Sequence, residues 1–465
     1  MASSKLPPPN KTNLITRVNQ YFTRVFLSKP QPSYHVLLAY SGGLDSSVLL
    51  HMMVSLQQQW QAEKKTEFQL TLSAMHVHHG LNAKADSWVT HCQQVCAQYA
   101  IPLQVEYVQV DKHTGLGVEA TARHARYAAL QQSPADFICL AHHQDDQAET
   151  LMLQLMRGSG VKGLAAMAEM DVTQRLIRPL LTISRQALEQ YANAHALQWI
   201  EDDSNQNTDF DRNFMRHQVL PLLETHYPSV HKILSRTAKH LAEANDLLTE
   251  LAQLDGAPML VNGVHGYQRC LDLSKLAALN EIRAKNAVRW WLDCHELMMP
   301  NAEVLAQLMQ QLLHARADAG IHIQVAKEVH VKRYLDVAYV VKEGAVTQPI
   351  NQLWQGESRL QLTSQDSLVF ETSLGQGIAQ KKLMNTALRI RSREGSERFR
   401  PEVGRPSRTL KHILQTHHIP PWLRARVPLV FVDETLVYIP NVGVDASMAA
   451  QPNEMGTVIR WEHHP

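Results

Sequence analysis

A short polar turn separates an apolar run from an amphipathic run near the start of the chain. Residues 36–39 are apolar, and an amphipathic stretch extends from Val48 to Leu56. This order predicts a strand, a tight glycine turn and a helix N-terminus, whose unpaired backbone N–H groups favour an anion. Because glycine lacks a Cβ, the backbone can approach a phosphate closely. We therefore expect a phosphate site formed by the turn residues Ser41, Gly42, Gly43, Leu44, Asp45 and Ser46.

Two common nucleotide-binding motifs are missing at this turn. The sequence has no Gly-x-x-x-x-Gly-Lys-Ser/Thr pattern, which excludes a Walker P-loop, and no Gly-x-Gly-x-x-Gly follows the first strand, which argues against a dinucleotide fingerprint. An ordinary β–α turn would explain two glycines and a polar cap. The complete six-residue pattern after a buried strand is more specific and favours phosphate binding.

A second polar cluster follows a later apolar run. Asp145, Asp146 and Glu149 lie at the start of a predicted helix, a few residues after the apolar residues 137–140. At these spacings the carboxylates share one helical face, together with Thr150. Clustered carboxylates can bind Mg²⁺ held with phosphates, or a cationic substrate group. Acidic capping of a solvated helix is the simpler alternative, but the apolar continuation of the helix favours a functional role.

Strand and helix patterns alternate through the first half of the chain. Strands are predicted at 35–40, 70–77, 103–110 and 136–141, and helices at 14–27, 46–60, 84–100, 117–132 and 145–157. This alternation predicts an α/β fold with a doubly wound parallel sheet of the Rossmann-like kind. Ligands of such sheets bind at the carboxyl ends of the strands. Both polar clusters fall at such ends, so we expect them to share one crevice.

The second half of the chain has a different pattern. Helices are predicted at 228–253, 274–297 and 301–315, and alternating apolar residues at 321–342 predict strands. Short strands, a helix near 408–417 and strands near 428–440 follow. We therefore expect a mainly helical middle domain and a small α+β C-terminal domain. The predicted domain bounds are 1–225, 226–345 and 350–465.

Composition restricts the class of protein. Hydrophobic residues make up 45% and charged residues 19% of the 465 residues, and no apolar run has the length of a membrane span. Residues 1–10 lack the apolar core of a signal peptide. Five scattered cysteines suit a reducing compartment. We therefore expect a cytoplasmic protein without a membrane partner.

Basic residues are concentrated near the C-terminus. The net charge is only +1, but residues 381–427 contain twelve Lys or Arg and three acids. A solvated surface could explain a short basic tail. Over nearly fifty residues, a phosphate-binding face is the better interpretation.

Short motifs appear in order along the whole chain. They are Ser41-Gly42-Gly43-Leu44-Asp45-Ser46, Val77-His78-His79-Gly80-Leu81, Glu119-Ala120-x-Ala122-Arg123-x-x-Arg126-Tyr127, the block from His142 to Thr150, Arg157-Gly158-Ser159-Gly160, Gly163-Leu164, Arg178-Pro179-Leu180-Leu181, Glu201-Asp202-Asp203-Ser204-Asn205, Arg212-Asn213-x-x-Arg216 and Pro420-Pro421-Trp422-Leu423-Arg424. The first of these motifs resembles the PP-loop of ATP pyrophosphatases. With all of them in this order, the chain as a whole resembles the tRNA(Ile)-lysidine synthetases.

The resemblance implies a two-step ligation on the wobble cytidine of an isoleucine tRNA with a CAU anticodon. ATP would adenylate the C2 oxygen of cytosine, and the ε-amine of free L-lysine would then displace AMP. The product, lysidine, changes the tRNA from methionine to isoleucine identity. ATP is the implied co-substrate and Mg²⁺ the implied metal. The oligomeric state stays open, with a homodimer as one possibility.

The resemblance also implies roles for individual residues. The turn from Ser41 to Ser46 would bind the pyrophosphate, and Asp45 could hold Mg²⁺. Arg123 or Arg126 would neutralise charge on the α-phosphate. Asp146 and Glu149 would bind the lysine ammonium, and one carboxylate could accept its proton. The predicted catalytic residues are therefore Asp45, Arg123, Asp146 and Glu149, with the division of roles among Asp145, Asp146 and Glu149 left open.

Two groups of residues are candidates for tRNA binding. Arg212, Asn213 and Arg216 would contact tRNA phosphates or the anticodon loop. The basic C-terminal segment would bind the acceptor stem through its backbone. Within that segment, Arg398, Arg400 and Arg424 are predicted to make these contacts.

Other functions fit the sequence less well. A PP-loop thiolase or a glutamine-dependent amidoligase would need Cys-x-x-Cys pairs or an N-terminal catalytic cysteine, and neither is present. The histidines at 76, 78, 79, 142 and 143 lack the spacing of a zinc site. A tRNA-binding protein that has lost catalysis is the alternative from a different class, and the presence of all the predicted catalytic carboxylates argues against it.

Overall fold

A computed structural model describes residues 13–63, 68–110, 117–264, 266–314, 320–343, 349–383, 386–395, 397–401 and 406–463. By packing, the chain divides into two compact units, Met1–Leu247 and Leu248–Pro465. The predicted polar N-terminus at 1–10, and Glu402 and Arg405 of the basic segment, lie outside the described residues. Among the residues that are described, no helix has both the length and the apolar character required to cross a membrane.

The first unit consists of helices around a six-stranded sheet. Its helices are α1 (Asn13–Ser28), α2 (Leu44–Glu63), α3 (Ala85–Gln98), α4 (Val118–Gln131), α5 (Gln144–Met156), α6 (Val161–Leu164), α7 (Arg185–Ala194), α8 (Asp211–Phe214), α9 (Leu220–His226) and the start of α10 (Val230–Gly256). Its strands are β1 (Ser33–Ala39), β2 (Gln69–His78), β3 (Leu103–Tyr107), β4 (Phe137–Cys139), β5 (Met170–Asp171) and β6 (Leu176–Ile177).

The order of the strands confirms the predicted doubly wound sheet. It is β3-β2-β1-β4-β6-β5, and only the edge strand β5 runs antiparallel to its neighbour. The chain moves outward from β1 to β3 and then returns to place β4 on the other side of β1. The connections therefore change direction between β1 and β4, which is the position where open α/β sheets bind ligands.

Helix α2 is held in the centre of this unit. Nearly all of its residues from Val48 to Leu56 are buried, so the stretch predicted as amphipathic is apolar on most faces. The aromatic residues of α1, including Phe22 and Phe26, pack into the same core. A helix anchored in this way fixes the position of the turn that precedes it.

The second unit combines helices with several small sheets. Its helices are the remainder of α10, α11 (Leu273–Ala277), α12 (Glu281–Asp293), α13 (Ala302–His314), α14 (Gln380–Leu383) and α15 (Leu410–Thr416). Its strands are β7 (Leu260–Val261), β8 (Cys270–Asp272), β9 (His322–Ala326), β10 (Val329–Tyr334), β11 (Val337–Lys342), β12 (Asn351–Leu353), β13 (Arg359–Gln361), β14 (Asp366–Leu374), β15 (Ile378–Ala379), β16 (Leu388–Arg391), β17 (Arg398–Phe399), β18 (Arg408–Thr409), β19 (Leu429–Val432), β20 (Thr435–Ile439), β21 (Gly443–Val444) and β22 (Met455–His463).

The sheets of the second unit are antiparallel. Their orders are β7-β8-β11-β10-β9, β12-β16-β19-β20-β21, β13-β14-β22-β15 and β17-β18. The helix predicted at 274–297 is divided into α11 and α12, because the Asn280 side chain accepts a hydrogen bond from the Arg283 N–H and starts a new helix. The predicted fold class, a parallel α/β domain followed by helical and α+β parts, is confirmed.

Candidate active site

The turn after β1 has the geometry of an anion cradle. Gly42 has φ +81°, and a Cβ at this position would lie 2.7 Å from Ile200 Cδ1. The Ser46 hydroxyl donates to the Gly43 carbonyl at 3.0 Å and lies 3.1 Å from the Ser41 hydroxyl. These contacts hold the turn closed, and α2 begins within it at Leu44. The N-terminus of a long, buried helix is therefore directed at the turn.

Asp45 lies in the first turn of α2 and has an oxygen with no protein partner. Its Oδ1 is buried and has no hydrogen bond within the described part of the chain, and its Oδ2 lies 3.5 Å from His143 Nε2. A buried carboxylate oxygen without a donor suits a hard cation. The donor chemistry of Asp45 thus fits the Mg²⁺ predicted there.

The second polar cluster forms a capping box at the start of α5. His143 Nδ1 accepts a hydrogen bond from the Asp145 N–H at 3.2 Å, and Asp146 Oδ2 accepts one from the His143 N–H at 3.0 Å. Reciprocal bonds of this kind satisfy the free N–H groups at a helix start. They also fix Asp146 at the carboxyl end of β4, next to the turn after β1.

His143 connects the two clusters. Its buried ring has Nε2 3.5 Å from Asp45 Oδ2 and 3.5 Å from Asp146 Oδ2. Burial would lower the pKa of His143, but Asp146 and Asp45 outweigh it and raise this pKa to about 9. His143 was not among the predicted catalytic residues. The sequence signal for it was its N-cap position before three polar residues.

Asp146 and Glu149 are paired with one arginine. Arg216 Nε lies 2.6 Å from Glu149 Oε1, and its Nη2 lies 2.9 Å from Glu149 Oε2 and 3.1 Å from Asp146 Oδ1. Burial raises the pKa of Glu149. Burial also acts to raise the pKa of Asp146, but the charges around it, led by His143, bring it well below its usual range. The two carboxylates therefore differ in basicity, although they lie on one helical face.

Several arginines surround the same crevice. The Arg123 guanidinium packs over the Tyr127 ring at 5.2 Å and donates to its hydroxyl at 3.4 Å, and Arg126 Nε is buried without a hydrogen-bond partner in the described chain. Burial lowers the pKa of His142 far below its usual value, and the positive charges of Arg126, Arg178 and Arg123 act in the same direction. Both Arg123 and Arg126 thus retain N–H donors for an anion.

The first group of predicted tRNA-binding residues lies against the carboxylates. Arg212 Nη2 donates to Thr150 Oγ1 at 3.0 Å, and its Nε lies 3.4 Å from Glu149 Oε2. Asn213 is buried and donates to the Asn207 carbonyl at 2.8 Å. Arg216 follows in a π-helical segment, Met215–Val219, and reaches both carboxylates. No local sequence pattern indicated this pairing.

The second group lies in the second unit. Arg398 and Arg400 are exposed, on and directly after β17, and Arg398 donates to Ser407. Arg424 is half-buried and donates through Nε to the Ile419 carbonyl at 2.9 Å. Their predicted contacts with tRNA stay predictions.

A parallel sheet with this phosphate turn at its switch point defines the PP-loop class of ATP-using enzymes. In agreement, a family model for the PP-loop domain matches residues 11–223. Models of the TilS substrate binding domain and the TilS substrate C-terminal domain match residues 271–339 and 388–461.

Curated relatives match over nearly the whole chain. The tRNA(Ile)-lysidine synthase of Nitrosomonas europaea is 37% identical, over 100% of this chain and 98% of its own length. Those of Shigella flexneri and Escherichia coli O157:H7 are 39% and 40% identical, over 92% and 93% of this chain and 96% and 97% of their own lengths. The chain belongs to the tRNA(Ile)-lysidine synthase family and is a ligase that acts in tRNA modification.

Proposed function

We propose that the protein ligates free L-lysine to C2 of the wobble cytidine in the CAU anticodon of tRNA(Ile), through an adenylated cytidine. The observation that carries the proposal is the position of His143, with Nε2 3.5 Å from both Asp45 and Asp146. It joins the phosphate turn and the carboxylate pair in one site. Activation by ATP and capture of a cationic amine need these two functions side by side. The lysidine product would give the tRNA isoleucine instead of methionine specificity.

In the first step, the C2 oxygen of cytosine attacks the α-phosphorus of ATP, the bond to the β-phosphate oxygen breaks, and pyrophosphate leaves. We assign the turn from Ser41 to Ser46 and the N-terminus of α2 to the pyrophosphate. Asp45 would hold Mg²⁺, which would neutralise phosphate charge when bound. Arg123 and Arg126, with their available N–H donors, would stabilise the charge on the α-phosphate.

In the second step, the ε-amine of lysine forms a bond to C2, the C2–O bond breaks, and AMP leaves with the electron pair. The ammonium must first lose a proton. The raised pKa of Glu149 makes it the better proton acceptor, and the lowered pKa of Asp146 keeps that carboxylate charged to hold the ammonium. We therefore assign Glu149 as the base and Asp146 as the lysine-orienting group.

Arg216 places a condition on lysine binding. Its guanidinium contacts both carboxylates, so a lysine ammonium at Asp146 must either share that carboxylate with Arg216 or displace Arg216 from Asp146 Oδ1. The bidentate contact with Glu149 can persist, because a carboxylate has further lone pairs for a second donor. The π-helical turn that carries Arg216 is the type of local irregularity that often occurs at functional sites.

The tRNA contacts are assigned to both units. We propose that Arg212, Asn213 and Arg216 lie beside the anticodon loop, and that Arg398, Arg400 and Arg424 bind the acceptor stem. The division into a catalytic domain at 1–225, a middle domain at 226–345 and a C-terminal domain at 350–465 is part of the same proposal. The three matched family models, which lie in these three ranges in turn, support it. A cytoplasmic location agrees with a tRNA substrate.

A labelling assay tests the proposal. The protein is incubated with unmodified tRNA(Ile) bearing CAU, ATP, Mg²⁺ and labelled L-lysine. We expect label in the tRNA only when ATP is present. Failure to incorporate lysine would overturn the proposed reaction, and incorporation without ATP would overturn the adenylation step.

Two variants separate the steps. Asp45→Asn should abolish pyrophosphate release and leave tRNA affinity largely unchanged. Glu149→Gln should still release pyrophosphate but transfer lysine slowly, so that adenylated tRNA accumulates. Equal loss of both steps in Glu149→Gln would show that Glu149 is not specific to the lysine step.

A further inference from the structure

Two histidines and a glutamate meet on one face of the sheet formed by β9, β10 and β11. His330 on β10 pairs in register with Gln324 of β9 and Val341 of β11. Glu343 follows Val341 by two positions and so shares its face, and His322 of β9 lies opposite the residue two positions after His330. We call His322, His330 and Glu343 the sheet-edge cluster. It lies in the second unit and has no role in the proposed reaction.

The distances within the sheet-edge cluster match those of a metal site. His330 Nε2 lies 3.2 Å from Glu343 Oε2, His322 Nε2 lies 3.6 Å from Glu343 Oε1, and one ligand atom from each residue can be chosen so that all three lie within 4.8 Å of one another. Around a tetrahedral zinc ion with bonds of about 2.0–2.2 Å, neighbouring ligand atoms are separated by about 3.3–3.6 Å. With one ligand atom from each residue the separations are at most 4.8 Å, so side-chain rotation can bring all three to one ion.

The types of ligand atom indicate which metal ion the sheet-edge cluster would bind. Two imidazoles and one carboxylate favour Zn²⁺ and similar first-row transition ions, whereas Mg²⁺ and Ca²⁺ prefer sites made of oxygen atoms. We propose that His322, His330 and Glu343 bind a divalent transition-metal ion, with Zn²⁺ as the best fit.

The exposed fractions of the three side chains indicate how the cluster would hold an ion. The His330 side chain is 15% exposed, whereas His322 and Glu343 are 53% and 41% exposed. The half-buried His330 ring provides the more fixed ligand, and the two exposed groups can adjust around the ion. Three protein ligands with one side open to solvent leave a fourth position for water or an external donor.

Lys332 modifies the site. It follows His330 on the same face of β10, and its ammonium donates to Glu343 Oε1. This contact occupies Glu343 Oε1, while Oε2 faces His330. Its positive charge also opposes a bound cation. The structure thus predicts opposite effects for removal of a ligand and removal of Lys332.

A bound ion would connect the edge strand β9 to the end of β11 through β10. Because the cluster exists only in the folded sheet, binding should stabilise the second unit. Zinc should therefore raise the midpoint of thermal unfolding of that unit, and a chelator should reverse the change.

The test uses untagged full-length protein freed of metal by a chelator. Zn²⁺ binding is measured by calorimetry, and Co²⁺ is used as a second probe because a tetrahedral site gives visible absorption bands. We expect a site of 1:1 stoichiometry. His322→Ala and His330→Ala should each weaken it by more than the about 10- to 100-fold that loss of an outer partner costs.

Two further variants control the result. His240 lies 3.5 Å from Glu243 on α10, a histidine–carboxylate pair with no third ligand among the described residues, so His240→Ala should leave the site unchanged. Lys332→Met removes the opposing charge and should tighten Zn²⁺ binding on the order of tenfold. This gain of affinity cannot come from misfolding. Unchanged Zn²⁺ binding in both His322→Ala and His330→Ala, or no gain in Lys332→Met, would overturn the proposal.

Discussion

At the scale of single residues, both the backbone conformation and the close packing at position 42 of the phosphate turn favour glycine. Its φ of +81° is strained for other residues, and a Cβ would lie 2.7 Å from Ile200 Cδ1 and 3.0 Å from Cys92 Sγ. We predict that Gly42→Ala lowers the free energy of unfolding by about 1–3 kcal/mol and strongly reduces ATP turnover. Chemical denaturation and a pyrophosphate-release assay measure the two effects.

Gly43 provides the matched control for this substitution. A Cβ there would meet its nearest neighbour, Ser41 Oγ, at 3.6 Å, which is an ordinary van der Waals distance. Gly43→Ala should therefore change stability by less than about 0.5 kcal/mol. Equal destabilisation by both substitutions would show that the positive φ and close packing of Gly42 do not cause the loss of stability.

The pairing of Arg216 with Glu149 gives a second prediction. Loss of Arg216 leaves the buried Glu149 with only the longer contact to Arg212 at 3.4 Å, so Arg216→Gln should lower the free energy of unfolding by at most about 3–5 kcal/mol. Glu149→Gln combined with Arg216→Gln removes both charges and should recover about 1–3 kcal/mol of this loss. Urea denaturation of the single and double variants measures the coupling. Additive losses would show that the two side chains do not interact.

At the scale of helices and strands, the sequence predicted the elements around the site closely. Helix α5 was predicted at 145–157 and is Gln144–Met156, and β2 was predicted at 70–77 and is Gln69–His78. These elements have apolar patterns with polar residues at their ends, and the period of such a pattern predicts helix or strand from the local sequence alone. The carboxyl ends of β1 and β4 could therefore be placed together from the sequence alone.

The pairing of side chains across the site could not be predicted in this way. Arg212 and Arg216 lie more than sixty positions from Glu149 in the sequence, and their contacts depend on how α8 and the π-helical turn pack against α5. The division of the 274–297 helix had a local signal, Asn280 followed by Glu281, which the apolar periodicity outweighed. Long-range ion pairs leave no comparable signal in one sequence.

A buried polar network joins strands β14 and β22 in the second unit. Asp366 is paired in register with His463, and its Oδ1 accepts hydrogen bonds from His463 Nδ1 at 2.7 Å and Trp461 Nε1 at 3.0 Å. Its Oδ2 accepts from Thr363 Oγ1 at 2.8 Å and Arg426 Nη2 at 3.1 Å. Burial would raise the pKa of Asp366, but these donors outweigh it and lower this pKa to about 2.

This network predicts acid sensitivity of the second unit. Because the pKa of Asp366 is lower in the folded than in the unfolded chain, its stabilising contribution is complete above about pH 4 and is lost as the pH falls toward 2. Asp366→Asn should cost at least about 2 kcal/mol at neutral pH and flatten the loss of stability between pH 4 and 2. Denaturation followed at several pH values measures both effects.

Asp336 is the control for this prediction. It also pairs with an arginine, Arg333 at 3.2 Å, but its side chain is 70% exposed. Asp336→Asn should leave the pH profile of the second unit unchanged, because exposed ion pairs contribute little. An unaltered profile in Asp366→Asn would assign the acid sensitivity to other groups.

At the scale of the whole molecule, the binding of a polyanion depends more on where the charged residues lie than on the net charge. The net charge is +1, yet the segment 381–427 is strongly basic. Part of that charge is used inside the second unit, since Arg426 bonds Asp366 and the Arg391 guanidinium lies 4.0 Å from the Phe431 ring centre. The number of basic residues therefore overstates the charge available to a polyanion.

Arg398 and Arg400 are exposed members of this segment, and they carry the prediction for tRNA binding. Each phosphate that a cation neutralises releases counterions, so the slope of log affinity against log salt reports the number of neutralised phosphates. The double substitution Arg398→Glu with Arg400→Glu should weaken tRNA binding and reduce this slope by about two, because each arginine neutralises about one phosphate. Filter binding at several salt concentrations measures the slope.

A control with the same change in net charge separates local binding from general attraction. Arg24 and Lys239 already lie within ion-pair distance of Glu169 and Glu243, at 2.6 and 4.0 Å, so they offer less to a phosphate. Arg24→Glu with Lys239→Glu should therefore alter the salt slope much less than the Arg398 and Arg400 pair. If both double variants reduce the slope equally, tRNA responds to total charge, and the basic segment has no specific role in binding.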